Sequence, residues 1–196
     1  MGGSPPAFFA PHSFLSLFGE RKEPPQRQKK PAPFRFRRGG VYTLSQLSPF
    51  IPYGTMVDHF QHIVYEKPDM TPRQRHDTWK ELLGVYMPWM KLGSEIPFYG
   101  DGEGWQRQMH IYQSPFYYID YCLAQTVSLQ FWAMLQKDPK DAWAHYMAYT
   151  KQGGSRTFTE LLKNAGLDSP FEERCLRGVC ETAKAWLDAY DLTGIQ

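Results

Sequence analysis

From residue 47 onward, apolar residues recur at helical spacing and the starts of the runs carry capping signals. Thr71-Pro72 with Gln74, Asp138-Pro139 with Asp141, and Ser169-Pro170 with Glu172 each offer a capping oxygen, a proline at the first helical position, and an acid or amide at the third. Ser114-Pro115 opens in the same way without the acid. Thr157 with Glu160 reads as a capping box, and Gly166 as the left-handed stop of that helix. The pattern predicts helices over about 54–67, 72–91, 102–112, 115–137, 139–151, 157–165 and 170–190. Val and Ile are sparse and never alternate over more than a few residues, so no strand is predicted. The expected fold class is all-α.

Two of these helices differ in kind. In 54–67, Met56, Phe60, Ile63 and Val64 share one side, while Asp58, His59, His62 and Glu66 share the other, the mark of an amphipathic helix lying on a core. The 115–137 segment is apolar nearly all round, with Phe116, Ile119, Leu123, Val127, Leu129, Phe131, Trp132 and Met134. Such a helix is expected to be central and covered on every side. Its polar groups, Asp120, Gln125 and the tyrosine hydroxyls, then need hydrogen-bond partners or a cavity to line.

Residues 1–46 are a different kind of sequence. Seven of the sixteen prolines fall there, scattered among Gly, Ser, Gln and basic residues without a period. The stretch carries eight Lys/Arg against Glu20 and Glu23, while the other 150 residues carry 14 basic and 18 acidic ones, so the overall charge of +2 hides a basic leader on an acidic body. Too little apolar surface is available to offset chain entropy, and a disordered leader over 1–46 ahead of a helical segment over 47–196 is expected. Its positive charges follow the apolar patch Phe8–Phe18 instead of preceding it, which argues against a signal peptide. Arg35-Phe-Arg-Arg38 would suit phosphate and base contact, but no second basic surface supports it, and no nucleic-acid partner is expected. No apolar run approaches a membrane span, and with mean hydropathy −0.54 a soluble, cytoplasmic protein without a membrane partner is expected.

Candidate chemistry is concentrated in two places. His59-x-x-His62-x-x-x-Glu66 could converge on one metal ion, although the polar face of an amphipathic helix produces the same trio. His110 with Tyr112, Tyr117, Tyr118 and Tyr121 would gather several O–H groups and an imidazole N–H, a cluster suited to a developing oxyanion. An aromatic core with satisfied hydroxyls gives the same spacing. Cys122, Cys175 and Cys180 are an odd set with no C-x-x-C pair and read as buried, inert thiols, excluding a disulfide framework and a zinc ribbon. Gly153-Gly154-Ser155 lacks the lysine and the preceding strand of a phosphate loop and reads as a flexible joint.

Several strings carry a family likeness: Ile51-Pro-Tyr-Gly54, Val57-Asp-His-Phe-Gln-His62 with Val64-Tyr-Glu66, Thr71-Pro72, Trp105-Gln-Arg-Gln108, His110-Ile-Tyr112, Pro115-Phe-Tyr-Tyr-Ile-Asp-Tyr-Cys-Leu-Ala-Gln125 and Ser169-Pro-Phe-Glu172. Together, from about Gln46 to near Leu187, they resemble the C-terminal part of the oligoendopeptidase F branch of zinc-dependent oligopeptidases, relatives of thimet oligopeptidase. The resemblance implies the all-helical C-terminal portion of a zincin-type catalytic domain with a deep substrate channel for oligopeptides. It implies oxyanion-stabilising roles for His110, Tyr118 and Tyr121, with Tyr117 the alternative to Tyr118, and substrate contacts for Tyr112 and Tyr117.

One departure stands beside the match. In the family, zinc is held by an H-E-x-x-H helix and a further glutamate, with the motif's own glutamate as general base. Here the residues following the six histidines are Ser13, Phe60, Ile63, Asp77, Ile111 and Tyr146, so the motif is absent. The expectation is a C-terminal segment, such as a truncated or frame-disrupted coding region would give, with no metal or cofactor of its own. Its partner would be the missing zinc-bearing half, and alone it would be inactive. The rival expectation is a non-catalytic helical module that binds peptides or another protein.

Overall fold

A computed structural model describes the backbone of residues 34–189. Among the described residues there are seven α-helices, one 3₁₀ turn and no strand. The helices are α1 (Phe34–Glu66), α2 (Pro72–Tyr86), α3 (Met109–Gln113), α4 (Ile119–Lys137), α5 (Pro139–Lys151), α6 (Phe158–Asn164) and α7 (Glu173–Asp188), with the 3₁₀ turn at Glu103–Arg107. The all-α expectation holds.

The caps were legible where side chains reach the backbone without help. Thr71 accepts from the Gln74 N–H while the Gln74 side chain takes the Thr71 N–H, and Thr157 and Glu160 make the same reciprocal pair. Asp138 accepts from the N–H groups of Lys140 and Asp141, and α5 spans the predicted 139–151. Gly166 turns the chain out of α6 at φ 64°, a left-handed conformation that costs glycine nothing. The Ser169-Pro170 signal is displaced. Ser169 closes a turn by accepting from the Phe171 N–H, and α7 starts at Glu173.

The largest departure is α1. The sequence places its start at 54, yet it begins at Phe34 and contains Pro49 and Pro52. Each proline deletes a helical bond and crowds the preceding turn, at about 3 kcal/mol or more. Against this, Ile51, Met56, Val57 and Phe60 are all at most 3% exposed, and burying such side chains returns roughly 1.5–3 kcal/mol each. Burial wins. Of the leader expected over 1–46, residues 1–33 lie outside the described residues, and the backbone is helical from Phe34 onward.

The chain divides into two compact units. Residues 46–124 form one around α1, α2 and α3, with an aromatic core in which Phe60 meets Trp79 edge-on at 5.1 Å and Trp105 at 5.4 Å. Gly54 of α1 lies against the start of α4: a Cβ there would come within 2.2 Å of the Cys122 Sγ. The other unit includes residues 125–189, where Val127, Phe131, Leu162, Ala165 and Leu167 form the core. Buried Gln130 acts there like a peptide group. Its Nε2 donates to the Asp168 carbonyl at 3.0 Å, and its Oε1 accepts from the Asp168 N–H at 2.8 Å. On α7, Cys175, Val179, Cys180 and Ala183 make the buried stripe. The expectation that α4 is covered on every side is corrected: Tyr121 and Leu135 are 37% and 46% exposed. The exposed positions Tyr121, Ala124, Ser128 and Leu135 recur at helical spacing along one face, leaving the helix an open edge.

Two predictions follow from this packing. Gly54→Ala gains helix propensity of up to about 1 kcal/mol but drives a methyl into sulfur, and overpacking costs about 1–3 kcal/mol. A net loss of stability in urea denaturation is expected, recovered in Gly54→Ala/Cys122→Ala, where the sulfur is gone; equal losses with and without Cys122 would refute the contact. All three thiols are buried, which pushes Cys122 and Cys175 up to about 12 and Cys180 up to about 11. A thiol reagent at mildly alkaline pH should therefore label none of them in the native chain and all three after unfolding.

Candidate functional site

The segment from Trp105 to Tyr121 is built from short pieces where one helix, then another, is predicted. The 102–112 helix is interrupted at Gln108, which sits at φ −81° and ψ 89° between the 3₁₀ turn and α3. The interruption has a consequence for side chains. Residues two apart in a regular helix point to different faces, yet here Gln108 Nε2 reaches His110 Nδ1 at 2.7 Å. The helix predicted from Pro115 starts instead at Ile119, because Phe116 adopts φ 61°. A left-handed conformation is unfavourable for a bulky residue and is held here from α1. Buried Gln61 accepts the Phe116 N–H at 2.8 Å, and the rings of His62 and Tyr65 pack on Phe116 with centroids 4.9 and 5.0 Å away.

This turn delivers the tyrosines to His110. The His110 ring meets Tyr118 edge-on at 4.9 Å and Tyr121 at 5.7 Å, and stacks against Tyr117 at 6.2 Å. Tyr118 and Tyr121 meet each other at 5.5 Å, and Tyr117 and Tyr121 at 5.2 Å. Tyr118 is buried against Phe50 and Tyr53, while Tyr117 and Tyr121 are exposed. Four of the five residues singled out by sequence are thus assembled. Tyr112 is not among them: its exposed ring stacks on Trp105 at 6.0 Å.

The electrostatics favour neutral donors. A hydrogen bond with Tyr117 raises the Tyr121 pKa above its ordinary value, with desolvation adding to it. Burial raises Tyr118, helped by Cys122 and Tyr121. Burial also pushes Tyr53 up to about 12, and its hydroxyl donates to Gln108 Oε1 at 3.0 Å. All three keep their protons at neutral pH and can donate to a negative oxygen. Sequence reasoning missed Gln61, Gln108 and Tyr53. All three lie inside the strings that carry the family likeness, and that was the only signal for them.

The other candidate comes apart. On the polar face of α1, His59 Nδ1 lies within hydrogen-bond distance of the Tyr86 hydroxyl at 3.1 Å, and burial lowers the His59 pKa. His62 Nε2 instead pairs with Asp58 at 3.5 Å. Burial raises the Asp58 pKa, and His62 works against that shift. Among the described residues no group of three or more His, Cys, Asp or Glu is placed to hold a metal ion, so the trio His59, His62 and Glu66 does not form a metal centre.

The chain belongs to peptidase family M3, whose family model matches residues 42–180. Three solved structures are similar to it. One described as PZ peptidase A with an inhibitor is 44% identical with TM-score 0.71, covering 76% of this chain and 26% of that one. One described as an oligoendopeptidase F is 45% identical with TM-score 0.70, covering 77% and 27%. An oligoendopeptidase F from Bacillus anthracis strain Ames is 38% identical with TM-score 0.60, covering 77% and 24%. The chain thus spans about a quarter of the length of the structures it matches. A search of the curated proteins gives no match. No helix among the described residues is long and apolar enough to cross a membrane.

Gln61→Leu tests the support beneath the site. It removes the acceptor of the Phe116 N–H and should cost about 1–3 kcal/mol in urea denaturation; an unchanged midpoint would mean that the turn holds its own conformation.

Proposed function

We propose that this chain is the C-terminal, oxyanion-binding segment of an oligoendopeptidase F-like zinc peptidase that hydrolyses short peptides in the cytoplasm. The observation that carries the reading is the convergence of His110, Tyr118 and Tyr121 within 4.9–5.7 Å of one another by ring centroid. Peptide hydrolysis turns the scissile carbonyl oxygen into an oxyanion, and donors fixed beforehand stabilise that charge without reorganising. Tyr121 and Tyr118 supply protonated hydroxyls and His110 supplies an N–H. Tyr117, hydrogen-bonded to Tyr121, steadies it and lines the substrate side. Tyr112, on its exposed perch over Trp105, contacts substrate farther from the reacting carbonyl.

Water activation lies outside this set. Zinc and the general-base glutamate belong to an H-E-x-x-H helix that these 196 residues do not contain, and the zinc-bearing remainder of a full-length peptidase is the partner that completes the site. In this reading the chain alone does not cleave peptides. The family match and the 44–45% identity to PZ peptidase A and oligoendopeptidase F favour this over a free-standing peptide-binding module.

The test uses the matching positions of a full-length oligoendopeptidase F. Replacing the counterpart of Tyr121 or Tyr118 by Phe should lower kcat about 10²–10³-fold, the typical effect of removing one oxyanion donor, with KM nearly unchanged. The counterpart of Tyr117 should cost less. A change confined to KM would reassign the hydroxyl to ground-state binding.

A further inference from the structure

We propose that Gln108 is a positioning residue that locks His110 as the neutral tautomer carrying its proton on Nε2, and that Tyr53 sets the sense of this lock. The chain of bonds runs from the interior outward. The Tyr53 hydroxyl donates to Gln108 Oε1 at 3.0 Å, and Gln108 Nε2 lies 2.7 Å from His110 Nδ1. An amide has a donor end and an acceptor end. Once its oxygen is committed to Tyr53, only N–H groups face the histidine. A ring nitrogen that accepts carries no proton, so the single proton of the neutral imidazole resides on Nε2.

The opposite arrangement is disfavoured by what surrounds Tyr53. Flipping the amide would turn its NH₂ toward the hydroxyl and its oxygen toward Nδ1. The tyrosine proton would then need another acceptor, and Gln108 is its one hydrogen-bond partner among the described residues. Burial keeps that proton in place, since it pushes the hydroxyl up to about 12. The ring of Tyr53 is itself fixed edge-on by Trp79 at 6.4 Å and by Tyr118 at 6.0 Å. Gln108 can reach His110 only because the backbone leaves the helical conformation at that residue. The interruption is therefore the device that builds the lock. What it achieves is a fixed N–H on the ring edge that Nδ1 does not occupy, available to a negative oxygen beside the tyrosine hydroxyls. The catalytic meaning of the lock rests on the peptidase reading above, whereas the tautomer itself does not.

The experiment separates the two. The whole chain, labelled with ¹⁵N-histidine, is examined at neutral pH by long-range ¹H–¹⁵N NMR, which distinguishes a protonated from an unprotonated ring nitrogen; the His110 signals are identified by their loss in His110→Asn. The wild type is expected to show Nε2 protonated and Nδ1 bare. Free imidazole side chains already favour that form, so Gln108→Glu is the discriminating variant. A carboxylate can only accept, and Nδ1 should become protonated. Gln108→Leu should give the averaged pattern of an unconstrained ring, and so should Tyr53→Phe, which frees the amide to flip. A wild-type ring with Nδ1 protonated, or a Nδ1 that stays bare in Gln108→Glu, overturns the proposal. If Gln108→Glu does not fold, Tyr53→Phe decides it: an unchanged tautomer removes Tyr53 from the lock. Should the tautomer behave as stated while replacing the counterpart of His110 in a full-length oligoendopeptidase F leaves kcat intact, the peptidase reading of the site fails and the lock survives.

Discussion

At Gly54, α1 comes so near the beginning of α4 that no side-chain atom fits between its backbone and the Cys122 sulfur. Much of residues 46–124 is arranged around that approach. The Tyr118 ring lies 3.5 Å from the same point, so the separation of the two helices sets how deeply it is buried. Tyr53, one residue before Gly54, is thereby placed against Tyr118 and within reach of Gln108. About two turns further along α1, Gln61 holds the Phe116 backbone. Three contacts from a single helix thus fix the turn, the tyrosines and the histidine's amide partner. A helix with two internal prolines is an unexpected place for such precision. It tolerates them because Ile51, Met56, Val57 and Phe60 around and beyond them are removed from water.

What the sequence disclosed and what it hid divide along the same physical line. Signals satisfied within a few residues were readable: the reciprocal caps at Thr71 and Thr157, the aspartate cap at 138 and the left-handed glycine at 166. Features whose energy comes from distant partners were not. Pro49 and Pro52 read as stops because the burial that outweighs them is tertiary. Phe116 reads as helical because nothing local reveals that Gln61, fifty-five residues earlier, takes its N–H. The break at Gln108 leaves no turn signature either. Of the site, the aromatic cluster was visible as spacing plus family likeness, and Tyr112 was included because it is adjacent in sequence, though its ring turns to Trp105. The residues that prepare the cluster, Tyr53, Gln61 and Gln108, carry neutral side chains that no charge or metal pattern marks.

The tyrosines of this edge offer uncharged hydrogen-bond donors. Burial or mutual hydrogen bonding raises Tyr53, Tyr118 and Tyr121, so none approaches ionisation near neutral pH. In the oxyanion role proposed above, such donors would act as negative charge develops, which is the condition for lowering a barrier instead of tightening the ground state.

The pairing of Gln130 with both backbone groups of Asp168 carries a different consequence. A side chain here does what a neighbouring strand would do, and it clamps the connection between α6 and α7 at one residue instead of along its length. Upstream of that rivet, the bend at Gly153–Arg156 is exposed and its hydrogen bonds are local, to Thr150 and Gln152. Related chains could lengthen or shorten that bend while α7 keeps its inward stripe in register, so variation in loop size is expected to accumulate there and not beside Asp168.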